Sequence, residues 1–198
     1  EGFIMLRNNL AKLMIDRGIS ATQLFNDTGI ARSTISKISN NNTDKISLQT
    51  IDKICNYLEV TPEDFFDFWA YEVKIQCGFV NYDSLAEVRK EWEPIPDFNE
   101  PAFLLIEFTR GKNTKKILEY KFNYCEEYEP GIPYNNGYLD SIILESPETE
   151  TSIFDNMPIQ FQNELIEEVK KALSETFDVL SFSPTLRDLD LFTLSGVK

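Results

Sequence analysis

The chain has 198 residues, 42% of them hydrophobic and 26% charged, which is length and apolar content enough for one or two globular domains with real cores. It contains no histidine, so Ser-His-Asp and Cys-His nucleophilic machinery and the commonest transition-metal ligand are excluded. The net charge of −14 is unevenly spread: residues 1–69 hold seven Lys/Arg against nine Asp/Glu, a net −2, and residues 70–198 hold twelve against twenty-four, a net −12. Cys55, Cys77 and Cys125 are odd in number and form no C-x-x-C pair, which argues for reduced thiols over a disulfide framework or a cysteine zinc cage. No apolar run reaches the length of a membrane span and no signal-peptide pattern opens the sequence, so the expectation is a cytoplasmic protein without a membrane partner.

In chain order, Leu6, Leu10, Leu13 and Met14 fall on one helical face, so Ile4 to Arg17 reads as a first helix ended by Gly18; Glu1 to Met5 carries no cap or motif. Ser20 and Gln23 have the capping-box form and start a second helix at Ala21, which Gly29 ends. A short turn leads to a third helix, in which Ile35 and Ile38 turn inward with Ile30. Arg32, Ser33, Thr34, Ser36 and Lys37 are left outward. An outward row of short hydroxyls and two cations suits the major groove of DNA, where small polar side chains reach base edges and cations take phosphates or guanine. Two ordinary amphipathic helices around a glycine would share much of this spacing.

A polar loop follows, Ser39 to Lys45, and then a fourth helix capped by Ser47 with Leu48, Ile51, Ile54, Cys55 and Leu58 at spacings of three and four. Thr61-Pro62-Glu63-Asp64 sets a cap hydroxyl, a proline and two acids at the start of a fifth helix. That helix carries Phe65, Phe66, Phe68 and Trp69, more than one inward stripe needs, which leaves open core filling or a face toward another domain or subunit.

Taken together, the G-I-x-x-S-T-I-S-x-I core and the S-L-x-T-I-x-K-I-x-x-Y-L-x-V-x-x-x-D-x-F tail make residues 6–66 resemble a Cro/C1-type (lambda-repressor-like, XRE family) helix-turn-helix domain. The resemblance implies a five-helix DNA-binding domain that meets operators as a dimer with its third helix in the major groove. It also implies that Arg32, Ser33, Thr34 and Lys37 read DNA, with Asn41 and Thr43 as further loop candidates. Three positions depart from the family pattern: Ala21 where glutamine is frequent, Phe25 where a small residue packs the two helices, and Ala31 where a hydroxyl usually caps helix three.

Past Ala70 the period changes to two. Tyr71, Val73, Ile75 and Cys77 alternate with Glu72, Lys74 and Gln76, a strand that divides the chain into domains 4–69 and 70–198. Asp83 to Trp92 reads as a helix before the breakers Pro94 and Pro96. Phe103 to Arg110 and Lys115 to Tyr124 read as a hairpin about Gly111-Lys112-Asn113, and Tyr138 to Glu145 as a strand after Asn135-Asn136-Gly137. Gln160 to Phe177 is an amphipathic helix with Phe161, Leu165, Val169, Ala172 and Leu173 on one face, and Phe177 to Phe182 a last strand before Pro184. The second domain is thus expected to be α+β with an antiparallel sheet.

Its chemistry is sparse. Pro96-Asp97 with Glu119-Tyr120-Lys121 has the loose form of a PD-(D/E)xK nuclease core, which would use Mg²⁺, but chance alternation of charge on a strand is much the commoner source of such a pattern. Cys77-Gly78 resembles the self-cleavage site of phage repressors, but no Ser nucleophile with a downstream lysine base accompanies it, and Cys77 reads as a buried strand residue. Gly111-Lys112 lacks the earlier glycine of a phosphate-binding loop. Acid clusters at Glu126-Glu127-Glu129, Glu145 to Asp155 and Asp188-Asp190 read as a solvated face or as a mimic of a phosphate backbone. The first expectation is therefore a non-enzymatic, cofactor-free transcription repressor of phage or mobile-element type. The alternatives are an autorepressing helix-turn-helix fused to an acidic inhibitor of a nucleic-acid-binding protein, similar to Cas9-inhibiting anti-CRISPR proteins, and a metal-dependent nuclease.

Overall fold

The computed structural model describes residues 6–93, 98–112, 114–127, 136–145, 152–155, 157–179, 189 and 191. The chain forms two compact units, Ile4–Ala70 and Tyr71–Lys198.

In the first unit, β1 (Leu6–Asn8) precedes α1 (Leu10–Asp16), α2 (Ala21–Thr28), α3 (Arg32–Ser39), α4 (Leu48–Leu58), the single turn α5 (Pro62–Phe65) and β2 (Phe66–Phe68). Leu10, Leu13, Leu24, Ile30, Ile35, Ile38, Ile54, Cys55, Leu58 and Phe65 form its core. Two expectations need correction. The first helix begins at Leu10 and not at Ile4, and the fifth ends after four residues, because Leu6–Asn8 and Phe66–Phe68 pair as an antiparallel ladder. The unit is thus four helices and a turn closed by a two-stranded ribbon.

Asn8 explains the break. Its side chain is buried, donates to the Ile38 carbonyl at 2.7 Å and accepts from the Leu10 N–H at 3.1 Å, so it ties the strand to α3 and tops the first turn of α1. An amide with those local partners favours a helix start over a helix interior. At the other end the Thr61–Asp64 capping box and Pro62 do form, yet the aromatic run after Phe65 finds an extended partner in β1. Leu48, expected inward, is 83% exposed at the first position of α4, one turn beyond the core.

The second unit holds β3 (Glu72–Phe79), α6 (Leu85–Glu91), β4 (Phe98–Arg110), β5 (Thr114–Glu127), β6 (Asn136–Leu144), a 3-10 turn (Ser152–Phe154) and α7 (Ile159–Phe177). The four strands form one antiparallel meander in the order β3-β4-β5-β6. Strict alternation sends Ala102, Leu104, Ile106 and Phe108 of β4 and Leu118, Tyr120, Phe122 and Tyr124 of β5 to the same buried face. Against them α7 turns Phe161, Leu165, Val169, Leu173 and Phe177. Phe177 sits edge-on to Phe79 and Phe122, with ring centroids 5.0 and 5.4 Å apart. Cys77 is half-buried on the same face, its thiol 3.1 Å from the Thr176 hydroxyl.

One corner of this core is ionic. The Glu126 carboxylate, without solvent exposure, accepts from Arg89 Nη2 at 2.6 Å and Nε at 2.8 Å, and from the Tyr124 hydroxyl at 2.6 Å. Burial and that carboxylate push the Tyr124 phenol well above its ordinary range. Glu100, also buried, accepts from the Trp92 indole at 2.7 Å. The breakers Pro94 and Pro96, the Asn135 turn, and the strand expected through Phe182 lie wholly or partly outside the described residues.

Candidate nucleic-acid interface

Helix α2 is set by its ends. Ser20 Oγ accepts from the Gln23 N–H at 3.2 Å while Gln23 Oε1 accepts from the Ser20 N–H at 2.8 Å, so the capping box is complete and Gln23 serves the cap. Gly29 closes the helix with φ 70°, a left-handed value that glycine adopts without strain. Helix α4 fastens this end: Tyr57 donates to Asp27 at 2.5 Å, which raises the phenol's pKa, and Lys53 Nζ reaches the Thr28 carbonyl at 3.4 Å. The end of α2 that leads into the turn before α3 is therefore fastened to α4.

On α3, Ile35 and Ile38 are buried and Ile30 lies beside them, so the rest of the helix can only face outward. Arg32, Ser33, Thr34, Ser36 and Lys37 are all exposed. No acid lies on α3, and Lys37 in its last turn complements the helix dipole. Ala31 gives no side-chain cap; its carbonyl instead accepts from the Thr34 N–H at 2.9 Å and the Ile35 N–H at 3.0 Å. The Arg32 guanidinium lies over the Phe25 ring, 5.1 Å from its centroid.

The two loop candidates have other engagements. Asn41 Oδ1 accepts from the Asn8 N–H at 2.8 Å and from Asn8 Nδ2 at 2.6 Å, and its own Nδ2 donates to the Asn8 carbonyl at 3.2 Å. With φ 51°, Asn41 thus takes the place of a strand partner for β1. Thr43 Oγ1 donates to the Lys45 carbonyl at 2.9 Å and accepts its N–H at 3.3 Å, so this hydroxyl folds the loop. Sequence reasoning missed the Phe25–Arg32 contact, whose only trace is an aromatic one turn before Gly29 and a cation just after it.

In the second unit Glu119 and Lys121 stand on the outer face of β5, where Lys121 Nζ pairs with Glu145 at 3.4 Å; Asp97 lies outside the described residues. Among the described residues no group of His, Cys, Asp or Glu has the arrangement of a metal site. Burial raises the pKa of Cys55, Cys77 and Cys125, which disfavours their thiolate forms.

Two helices joined by a tight glycine turn, the second packed by isoleucines and showing hydroxyls and cations outward, define a helix-turn-helix of the DNA-binding class. Residues 9–70 match the family described as the Cro/C1-type HTH DNA-binding domain, and this unit is such a domain. Neither the comparison with curated proteins nor that with solved structures returned a match. No helix among the described residues is long and apolar enough to cross a membrane.

Proposed function

We propose that the chain is a sequence-specific transcription repressor, of phage or mobile-element type, that holds operator DNA as a dimer through its Cro/C1-type unit. The observation that carries this reading is the exposed row Arg32, Ser33, Thr34, Ser36 and Lys37 on a helix locked by Ile35 and Ile38. In a dimer, two such helices meet successive major grooves on one side of the duplex, with half-sites about 34 Å apart. The acidic second unit repels DNA, so its role is to join two copies or to answer a signal, and no catalytic step is required.

The test is binding of the full chain to a labelled duplex from upstream of its own coding sequence, at increasing salt. Specific binding that weakens steeply with salt is expected. Lys37→Ala should lower affinity nearly uniformly across sequences and flatten the log–log salt slope by about 0.9, the value of one phosphate contact. Arg32→Ala should cost most on the preferred sequence. Absence of salt-dependent binding by the unmodified chain overturns the reading.

The net −12 of residues 70–198 favours one alternative for that unit, an inhibitor that occupies the basic groove of a nucleic-acid-handling protein while the first unit represses its own promoter. Capture of a basic nucleic-acid-binding protein, released by salt and competed by DNA, would select it.

A further inference from the structure

Phe25 is an aromatic without a core to fill. Leu24 is the buried residue of α2, whereas Phe25 is 37% exposed and stands outside the hydrophobic cluster. What its ring face meets is the Arg32 guanidinium, across the Gly29 turn at 5.1 Å. Arg32 is the first residue of α3, where the helix dipole disfavours a cation, so helix stability does not account for it. A guanidinium resting over a ring leaves N–H groups on its far side, and that planar fork suits guanine O6/N7 or a phosphate. The contact also removes rotamer freedom before any ligand arrives, so less is lost on binding.

We propose that Phe25 is a positioning residue for DNA recognition: its ring holds the Arg32 guanidinium in a reading orientation at the start of α3. This rests on the repressor reading above. Phe25 touches no nucleotide in this account and acts only through Arg32. The contact explains why a large aromatic occupies the outer side of α2 beside the reading helix.

The experiment uses the full chain and a duplex enriched from a random pool by the unmodified protein. Phe25→Leu keeps apolar bulk without a π face and should weaken binding about three- to tenfold, whereas Phe25→Tyr should bind as the unmodified chain does. In an Arg32→Ala background the Phe25→Leu loss should vanish, and in either background the melting temperature checks the fold. Base preference at the position Arg32 reads should relax in Phe25→Leu and sharpen again in Phe25→Tyr. Unchanged affinity in Phe25→Leu, or a loss that adds in full to that of Arg32→Ala, overturns the positioning role while leaving the repressor reading intact. If the unmodified chain enriches no duplex, the repressor reading falls and this inference falls with it.

Discussion

Single residues decide whether the acidic unit can close its core. Glu126 is buried without solvent contact, and Arg89, itself partly exposed, brings a cation to within 2.6 Å of it. Removing Arg89 takes both of its charge-assisted hydrogen bonds, at 2.6 and 2.8 Å, from a buried carboxylate. Arg89→Ala should therefore destabilise the unit by about 3 kcal/mol, measured by urea denaturation. The Arg89–Asp178 contact, long at 3.4 Å and exposed, contributes little of that. Gly137 is the second such position: a Cβ there would lie against the Tyr124 hydroxyl and 2.7 Å from its Cζ. Gly137→Ala must push Tyr124 off Glu126, and a loss of about 1–3 kcal/mol in the same assay is expected. A glycine in a turn signal was visible at Asn135-Asn136-Gly137. That it clears space for a tyrosine belonging to the neighbouring strand was not, because strand pairing is a long-range property.

At the level of elements, the helix-turn-helix was legible because its signals are local. A capping box, a left-handed glycine and an i, i+3 isoleucine pair each act within one turn of helix. The β1–β2 ribbon was illegible for the opposite reason: Leu6 and Phe68 stand 62 residues apart in sequence and define each other's conformation only by pairing. Asn8→Ala, which removes the amide linking β1 to Ile38 and Asn41, should cost about 2 kcal/mol and fray the ribbon first, as hydrogen exchange at Asn8 and Asn9 would report. The Thr61–Asp64 box adds a pH dependence. The Thr61 hydroxyl and N–H bonds hold the Asp64 carboxyl below its usual range. A depressed carboxyl contributes stability above its unfolded pKa and loses it as the pH falls through the folded value. The stability difference between the unmodified chain and Asp64→Ala should therefore be full at neutral pH and shrink below about pH 4.

For the whole molecule the governing quantity is the division of charge, −2 against −12. A strongly acidic unit tethered to a DNA reader imposes a repulsion that depends on salt through the Debye length, about 30 Å at 0.01 M and 3 Å at 1 M. Neutralising the exposed acids of α7, for example by Glu167→Gln with Glu168→Gln, should raise DNA affinity at low salt and leave it unchanged at high salt. Equal effects at both salt concentrations would show that these acids act by contact and not through the field.

The sequence by itself determined the order and type of most elements, the outward row of α3 and the antiparallel α+β character of the acidic unit, because periodicity and caps are written within a few consecutive residues. Only the tertiary structure decided where the first helix begins, where the fifth stops, that Asn41 bonds to Asn8 and Thr43 to Lys45, and that Arg32 rests on Phe25. Each of those outcomes depends on a partner far along the chain or across a turn, and a partner's position is a consequence of packing.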